Sequence, residues 1–308
     1  MPPPYRPFPA RGLLNGDKYY IFKTVEKKHS LLEIHSAVVL FGMAGLFGKW
    51  LSLSPFVIVW GRVLFASLAL GALFLLMKKS KRPAVPKSHI GLACLGLLLA
   101  AHWTCFFRSI QVSSVAVGLL SYSSFPLFTA FLEPWLSRAK VKFEHVFYAC
   151  LCLLGVFLII PRFELRNSTF QGVLWGLAAG FTFSVLTVFN RKLSKKYSSL
   201  MIALFQDAWA AVFLTPVVFI AGPVLSLGDI WLLAMLGVFC TAAAHSLFIK
   251  GMRWISAHTA AVISTLEPVY GIAMALIFLE EVPSARTLMG GGIILLAVLA
   301  MTIKGAAS

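Results

Sequence analysis

Two carboxylates, Glu267 and Asp207, lie inside stretches of sequence that are otherwise almost wholly apolar. A carboxylate in such a setting must pair, take up a proton or face water, so each is a candidate for holding a substrate ammonium group or exchanging a proton. His102 and His245 are embedded in the same way. Imidazole changes charge near neutral pH, and the alternative is a neutral ring satisfied by one neighbour. Gln206 stands beside Asp207, and Tyr122, Tyr270 and Trp209 add rings that could stack on a flat substrate or simply fill a core. These eight residues form the candidate substrate-binding set. Arg62 is a further charge in apolar sequence, about 10 Å from the end of its run at 1.5 Å per residue. Extension of its long side chain to the surface is favoured there over substrate contact, with a buried pair to Asp207 as another option.

Hydrolytic or metal chemistry would need a nucleophile with a base, paired acids, or ligands at helical spacing. No HExxH or GxSxG motif occurs, and His102 and Cys105, one helical turn apart, have no third ligand nearby in sequence. The five cysteines sit in apolar runs and read as small core residues. A membrane enzyme is therefore disfavoured, and no cofactor or metal is implied. A channel is disfavoured too, because neither a ring of like charges nor a filter-like loop is present.

The elements that must position these groups follow from composition. Of 308 residues, 59% are apolar and 12% charged, with mean hydropathy +0.86, far too little charge for a water-facing surface of this size. Ten apolar runs of membrane length occur, near 31–51, 55–77, 89–108, 113–136, 144–161, 170–190, 199–222, 229–249, 258–279 and 285–303. About 20 helical residues cross the hydrocarbon, and continuous apolarity without alternation excludes a β-barrel. An all-α polytopic membrane protein of ten transmembrane helices is expected. On that reading Glu267 lies about 13 Å deep, close to the midplane.

The basic residues gather between the runs. Alternate sides of the ten-helix arrangement carry 21 and 5 Lys and Arg, which places both termini on the cytoplasmic side of the cell's inner membrane. A net charge of +16 thus reflects orientation and lipid headgroup contact, with no nucleic acid as partner. Residues 1–30, with Pro2, Pro3, Pro4, Pro7 and Pro9 and then mixed charges, read as a disordered or surface-lying cytoplasmic tail.

The halves 31–161 and 170–303 match in length. Ala101-His102, Ser114 and Pro126 recur as Ala244-His245, Ser256 and Pro268 with a one-residue gap. Five helices per half is an odd number, so the second half enters from the opposite face and the repeats are inverted, the geometry alternating access requires. Pro126 and Pro268, expected near mid-helix, each remove a backbone hydrogen bond and could act as hinges. Gly172, Gly176 and Gly180 form a stripe of small residues, with Gly176 and Gly180 as candidate sliding positions and static packing as the alternative.

The glycine-rich first run (Gly42, Gly45, Gly48), Ser121 to Glu133 around Pro126, Leu266-Glu267-Pro268-Val269 and Glu280-Glu281 before Val282-Pro283-Ser284 carry a resemblance. The chain resembles the EamA-type transporters of the drug/metabolite transporter superfamily from about residue 31 to 303. The resemblance implies ten helices, cytoplasmic termini and a central cavity. It further implies movement, often outward, of amino acids, their derivatives, bases or toxic amphiphiles. One departure is visible: Phe125 stands where the second half has Glu267, and Ser137-Arg138-Ala139 where it has Glu280-Glu281-Val282. A carrier of small polar or amphipathic metabolites is expected, amino acids and derivatives foremost and nucleobase, nucleoside or adenosyl compounds second. Protons are the candidate coupling ion.

Overall fold

The computed structural model describes residues 16–86, 90–137, 143–255, 260 and 263–307. The proline cluster at the N-terminus, Ser256 and Arg138-Ala139 lie outside these. The described residues form helices and connecting turns, with no strand among them. In chain order the helices are α1 (Gly16–Trp50), α2 (Pro55–Leu76), α3 (Ile90–Val112), α4 (Val115–Tyr122), α5 (Phe125–Ser137) and α6 (Phe143–Ile159). There follow α7 (Ser168–Ser194), α8 (Ser199–Ala221), α9 (Leu227–Gly237), α10 (Ala244–Gly251), α11 (Glu267–Leu279) and α12 (Ala285–Ala307).

Among the described residues seven helical stretches are long and apolar enough to cross a membrane, and three shorter apolar ones, Val146–Ile159, Ser264–Leu279 and Ala285–Ala300, accompany them. Each of the ten expected runs coincides with one of these. The chain is a multi-pass membrane protein, and its surface agrees: Leu75, Leu76, Phe143, Phe219 and Ile220 are exposed, which is matched by lipid and not by water. Part of the expected irregular tail is helical, because α1 begins at Gly16. Its 35 residues span about 50 Å, more than the hydrocarbon thickness, and no proline or glycine interrupts the charged stretch after Gly16.

Starts and stops are local. Ser54, Ser114, Asn167, Ser198 and Ser226 each accept a hydrogen bond from a backbone N–H of the first turn they precede, and Pro55 opens α2, where its missing N–H costs nothing. Glu280, at φ 55°, closes α11 in the left-handed region, and Glu281 then donates its N–H to the Ala275 carbonyl.

Two stretches are broken. Between α4 and α5 a turn at Ser123 and Ser124 precedes Phe125-Pro126, so Pro126 opens a helix and does not kink one. The second break mirrors it: a single 3-10 turn, Ser264–Leu266, leads into α11, with Pro268 in its first turn. A third irregularity has no counterpart in the first half. Val238–Ala243, between α9 and α10, is π-helical.

The halves interlock reciprocally. α1 packs on α10 and α11 as α7 packs on α3 and α4, while α2 meets α9 as α8 meets α3. The glycines repeat the pattern at atomic scale. A Cβ on Gly96 of α3 would stand 2.6 Å from the Trp209 Cβ, and one on Gly237 would stand 2.6 Å from the Phe65 Cβ. Where α6 crosses α12, Gly155 and Gly290 face each other, each so close that an added methyl would strike the other's carbonyl oxygen.

Candidate functional site

Broken and widened helices leave backbone and side-chain polar groups without intrahelical partners, and most of the buried charges lie beside them. A small cavity of about 30 Å³ lies between α1, α2, α3, α4, α7, α10 and α11. Arg62, His102, Tyr122, Asn190, His245 and Glu267 supply its polar lining, and Trp103, Phe106, Phe183 and Phe248 much of the apolar wall.

Arg62 departs from expectation most. Only 1% exposed, it does not extend to the surface. Its Nε donates to Thr241 Oγ1 at 2.9 Å and its Nη2 to the Cys240 carbonyl at 3.2 Å. Both acceptors belong to the π-helical turn, where wide spacing frees a carbonyl and where Thr241 Oγ1 in turn donates to Leu236 O at 2.9 Å. The guanidinium carbon stands 3.9 Å from the Trp103 ring centroid and 5.3 Å from that of Phe107. Stacking and carbonyl contacts together hold a charge that lipid would reject. Depth along the helix suggested an escape to the surface, but the side chain projects inward, toward α3 and the widened turn.

Glu267 is the first residue of α11, 3% exposed, with its carboxylate at a helix N-terminus, where a negative charge is favoured. The Tyr122 hydroxyl lies within hydrogen-bonding reach, and Arg62 is within Coulombic range. Its Oε2 has no partner among the described residues. Gly42 of α1 brings the break close: a Cβ there would sit 3.0 Å from the Glu267 carbonyl oxygen.

The histidines are held differently. His102 Nδ1 lies 2.9 Å from the Ala179 carbonyl, which only accepts, so Nδ1 carries a proton. The ring stacks on Phe183 at 5.1 Å, inside an aromatic cluster with Tyr122 and Phe125. His245 Nδ1 stands 3.6 Å from Asp207 Oδ1, near enough to pair when charged but too long for a hydrogen bond. Neither oxygen of Asp207 has a hydrogen-bond partner among the described residues, although Asp207 is fully buried. Asp207 therefore faces His245, and Arg62 acts on it only at longer range.

Asp207 and Gln206 form a layer behind the wall. Gln206 Nε2 donates to Asn190 Oδ1 at 2.7 Å, and Asn190 reaches the cavity while Gln206 does not. Trp209 and Tyr270 do not line it. Trp209 stacks on Phe213 at 5.9 Å and packs against Gly96, and Tyr270 abuts Gly42. Gly176 and Gly180 lie where α7 crosses the first break: a Cβ on Gly176 would stand 2.6 Å from the Ser121 Cβ, and one on Gly180 2.9 Å from the Tyr122 carbonyl. Sequence reasoning had passed over Asn190, Trp103 and Phe183. A lone Asn among apolar residues at the end of a run was a usable signal, but nothing local marks Phe183 among 26 phenylalanines.

Polar contacts tie α1 and the end of α11 to neighbouring helices on either side of the cavity. Toward one membrane face Glu33 pairs with Lys250 of α10. Toward the other, Lys49 Nζ donates to the Ser113 carbonyl at 3.0 Å, and Glu281 Oε1 accepts from the Ala116 N–H of α4 at 3.3 Å.

This chain is similar to the uncharacterized transporter YxxF of Bacillus subtilis (strain 168), at 24% identity over 271 residues and 86% of each chain. It is also similar to an uncharacterized transporter of Archaeoglobus fulgidus, at 28% identity over 212 residues, 68% of this chain and 74% of that one. A solved crystal structure superposes with a TM-score of 0.66 over 91% of this chain and 99% of its own, at 19% identity, a likeness of fold. The EamA-like transporter family matches residues 30–160 and 170–303, which correspond to the two interlocking sets of helices around the cavity. A multi-pass membrane protein built on two such sets, with the family pattern across both, belongs to the EamA-like transporter family of membrane transporters.

Proposed function

We propose that this chain is a secondary carrier that moves small zwitterionic or amphipathic metabolites, amino acids and their derivatives foremost, outward across the cytoplasmic membrane by alternating access. In this reading ten helices cross the membrane with both termini in the cytoplasm. The halves 31–161 and 170–303 are inverted five-helix repeats, and residues 1–30 precede them as a cytoplasmic segment.

One observation carries the substrate class: Arg62 and Glu267 line the same cavity. A zwitterion presents a carboxylate and an ammonium group a few ångströms apart, and a guanidinium with a carboxylate is the complementary pair. The rings of Trp103, Phe106, Phe183 and Tyr122 suit an apolar side chain. His102, His245 and Tyr122 complete the contact set, with Asp207 and Gln206 supporting it from behind. Nucleobase or nucleoside compounds are the second reading, favoured by the stacked His102 and Phe183 rings.

Coupling to protons is assigned to Glu267 and to the His245 and Asp207 pair, because buried carboxylate oxygens without hydrogen-bond partners gain one when protonated. Pro126 and Pro268, at the two breaks, are the hinges, and Gly176 and Gly180 allow α7 to slide past the first of them.

Proteoliposomes loaded with radiolabelled metabolite pools test this. Saturable counterflow of an amino acid class is expected, lost in Glu267→Gln and independent of an imposed pH gradient in Asp207→Asn. Wild-type kinetics in both variants across pH would reject the assignment of these residues. Ion currents without counterflow would reject the carrier.

A further inference from the structure

A second cavity, outside the transport path, opens toward lipid between α3 and the C-terminal half of α7. It offers about 550 Å³ of space, more than the central one. Its floor and sides are apolar: Leu95 and Leu98 from α3, Val185 and Phe189 from α7. Its rim is not. Lys192 and Lys196, in the last turn of α7 and just beyond it, line the mouth together with Tyr197. Lys192 Nζ sits 5.7 Å from the Phe189 ring centroid and Lys196 Nζ 5.2 Å from that of Tyr197. Among the described residues no carboxylate forms an ion pair with either.

An apolar trough below a pair of unpaired ammonium groups, at the height where a membrane helix ends, has the polarity of one kind of molecule. Water would not fill the trough, and a neutral or zwitterionic headgroup would leave the two charges uncompensated. The trough does not share its lining with the central cavity: Val185 and Phe189 face outward, while Leu186 and Asn190 on the same helix face inward. Its occupant therefore touches α7 from behind, on the helix that Gly176 and Gly180 press against the first break. We infer that the groove between α3 and α7 is a binding site for an anionic phospholipid of the adjoining leaflet, its phosphate on Lys192 and Lys196 and an acyl chain along Leu95 and Leu98.

Cys94 lies in the groove wall and is exposed, and Cys150, exposed on α6, is a control elsewhere on the lipid-facing surface. The full unmodified chain is reconstituted in bilayers of phosphatidylcholine alone or with phosphatidylglycerol, and alkylation by a lipid-soluble maleimide is followed cysteine by cysteine through peptide mass spectrometry. Phosphatidylglycerol is expected to slow modification of Cys94 by roughly 30-fold, the preference two interfacial ammonium groups give an anionic headgroup, and to leave Cys150 unchanged. Lys192→Gln with Lys196→Gln should abolish the protection, and the two arginine replacements should keep it. Equal Cys94 rates in the two bilayers would overturn the inference on the unmodified chain alone. So would protection that survives both glutamines, or equal protection from soluble glycerol phosphate in phosphatidylcholine.

Discussion

The two breaks, one in each half, share a backbone device and differ in what they carry. Ser123-Ser124 before Phe125-Pro126 and Ser264–Leu266 before Glu267-Pro268 both stop one helix and start another beside the cavity. At the first the leading residue is Phe125, fully buried, stacked on Tyr122 at 5.2 Å and edge-on to Phe183 at 4.9 Å. At the second it is Glu267, with an oxygen that has no hydrogen-bond partner among the described residues. The same contrast holds one helix away, where His102 is fixed by a carbonyl and His245 faces an unsatisfied carboxylate. Symmetry of backbone thus coexists with asymmetry of chemistry. The first half offers rings, the second holds most of the groups that can change charge, and Arg62 reaches across to the second half's widened turn.

The largest expected effect tests that bridge. Arg62→Leu removes the one arginine or lysine among the described residues of the cavity wall and leaves Glu267 uncompensated, a loss of about 2–5 kcal/mol, so initial transport rates should fall by roughly 30-fold or more. Arg62→Lys keeps the charge but not the fork that spans Thr241 and Cys240, and should retain a measurable fraction. Equal loss in both would show that charge alone is not what the bridge supplies. Next in size are the paired crossings. Gly96→Ala and Gly237→Ala each force a methyl into a backbone crossing at a cost of about 1–3 kcal/mol. Detergent-solubilised protein should lose several degrees of Tm in both, by similar amounts; a drop in only one would break the reciprocity of the halves.

Smaller still is Phe125→Leu. A near volume-conserving swap costs below about 1.5 kcal/mol, so transport should stay within a few-fold of wild type, in contrast to Glu267→Gln at the matching position. Proteoliposome uptake of the two variants side by side is the measurement, and comparable losses would mean that the breaks are chemically alike after all. Smallest is Glu33→Gln. Its partner Lys250 is 60% exposed, so the pair contributes at most about 1 kcal/mol. Opening toward that face should speed up by less than about fivefold, a gain that high salt removes.

Reading of the sequence succeeded where the signal was one-dimensional. Apolar runs located the helices, and the paired prolines fall at both breaks, though at helix starts and not in mid-helix as expected. It failed where the question was which way a side chain points. In a soluble helix the polar face marks the outside, but in lipid the outer face is as apolar as the inner, so the amphipathic period that would orient Arg62, Trp209 or Tyr270 is missing. Arg62 was accordingly expected at the surface and lies in the cavity, while Trp209 and Tyr270 were expected in the cavity and do not line it. The tail to residue 30 was expected to be disordered or surface-lying, and from Gly16 it is helical, because mixed charge argues against burial and says little about helicity.

The π-helical turn acts as a shim. Gly96 and His102 are six residues apart, whereas Gly237 and His245 are eight apart, and Val238–Ala243 lies inside the longer interval. A residue taken up in a π turn leaves the helix beyond it facing as it would without the insertion, so His245 and Lys250 keep their directions. Excising that single residue would restore ordinary winding with both side chains in place, but would take away the widened turn on which Arg62 is seated. A one-codon deletion would thereby leave a membrane protein whose cavity keeps its histidine and whose arginine has lost its anchor.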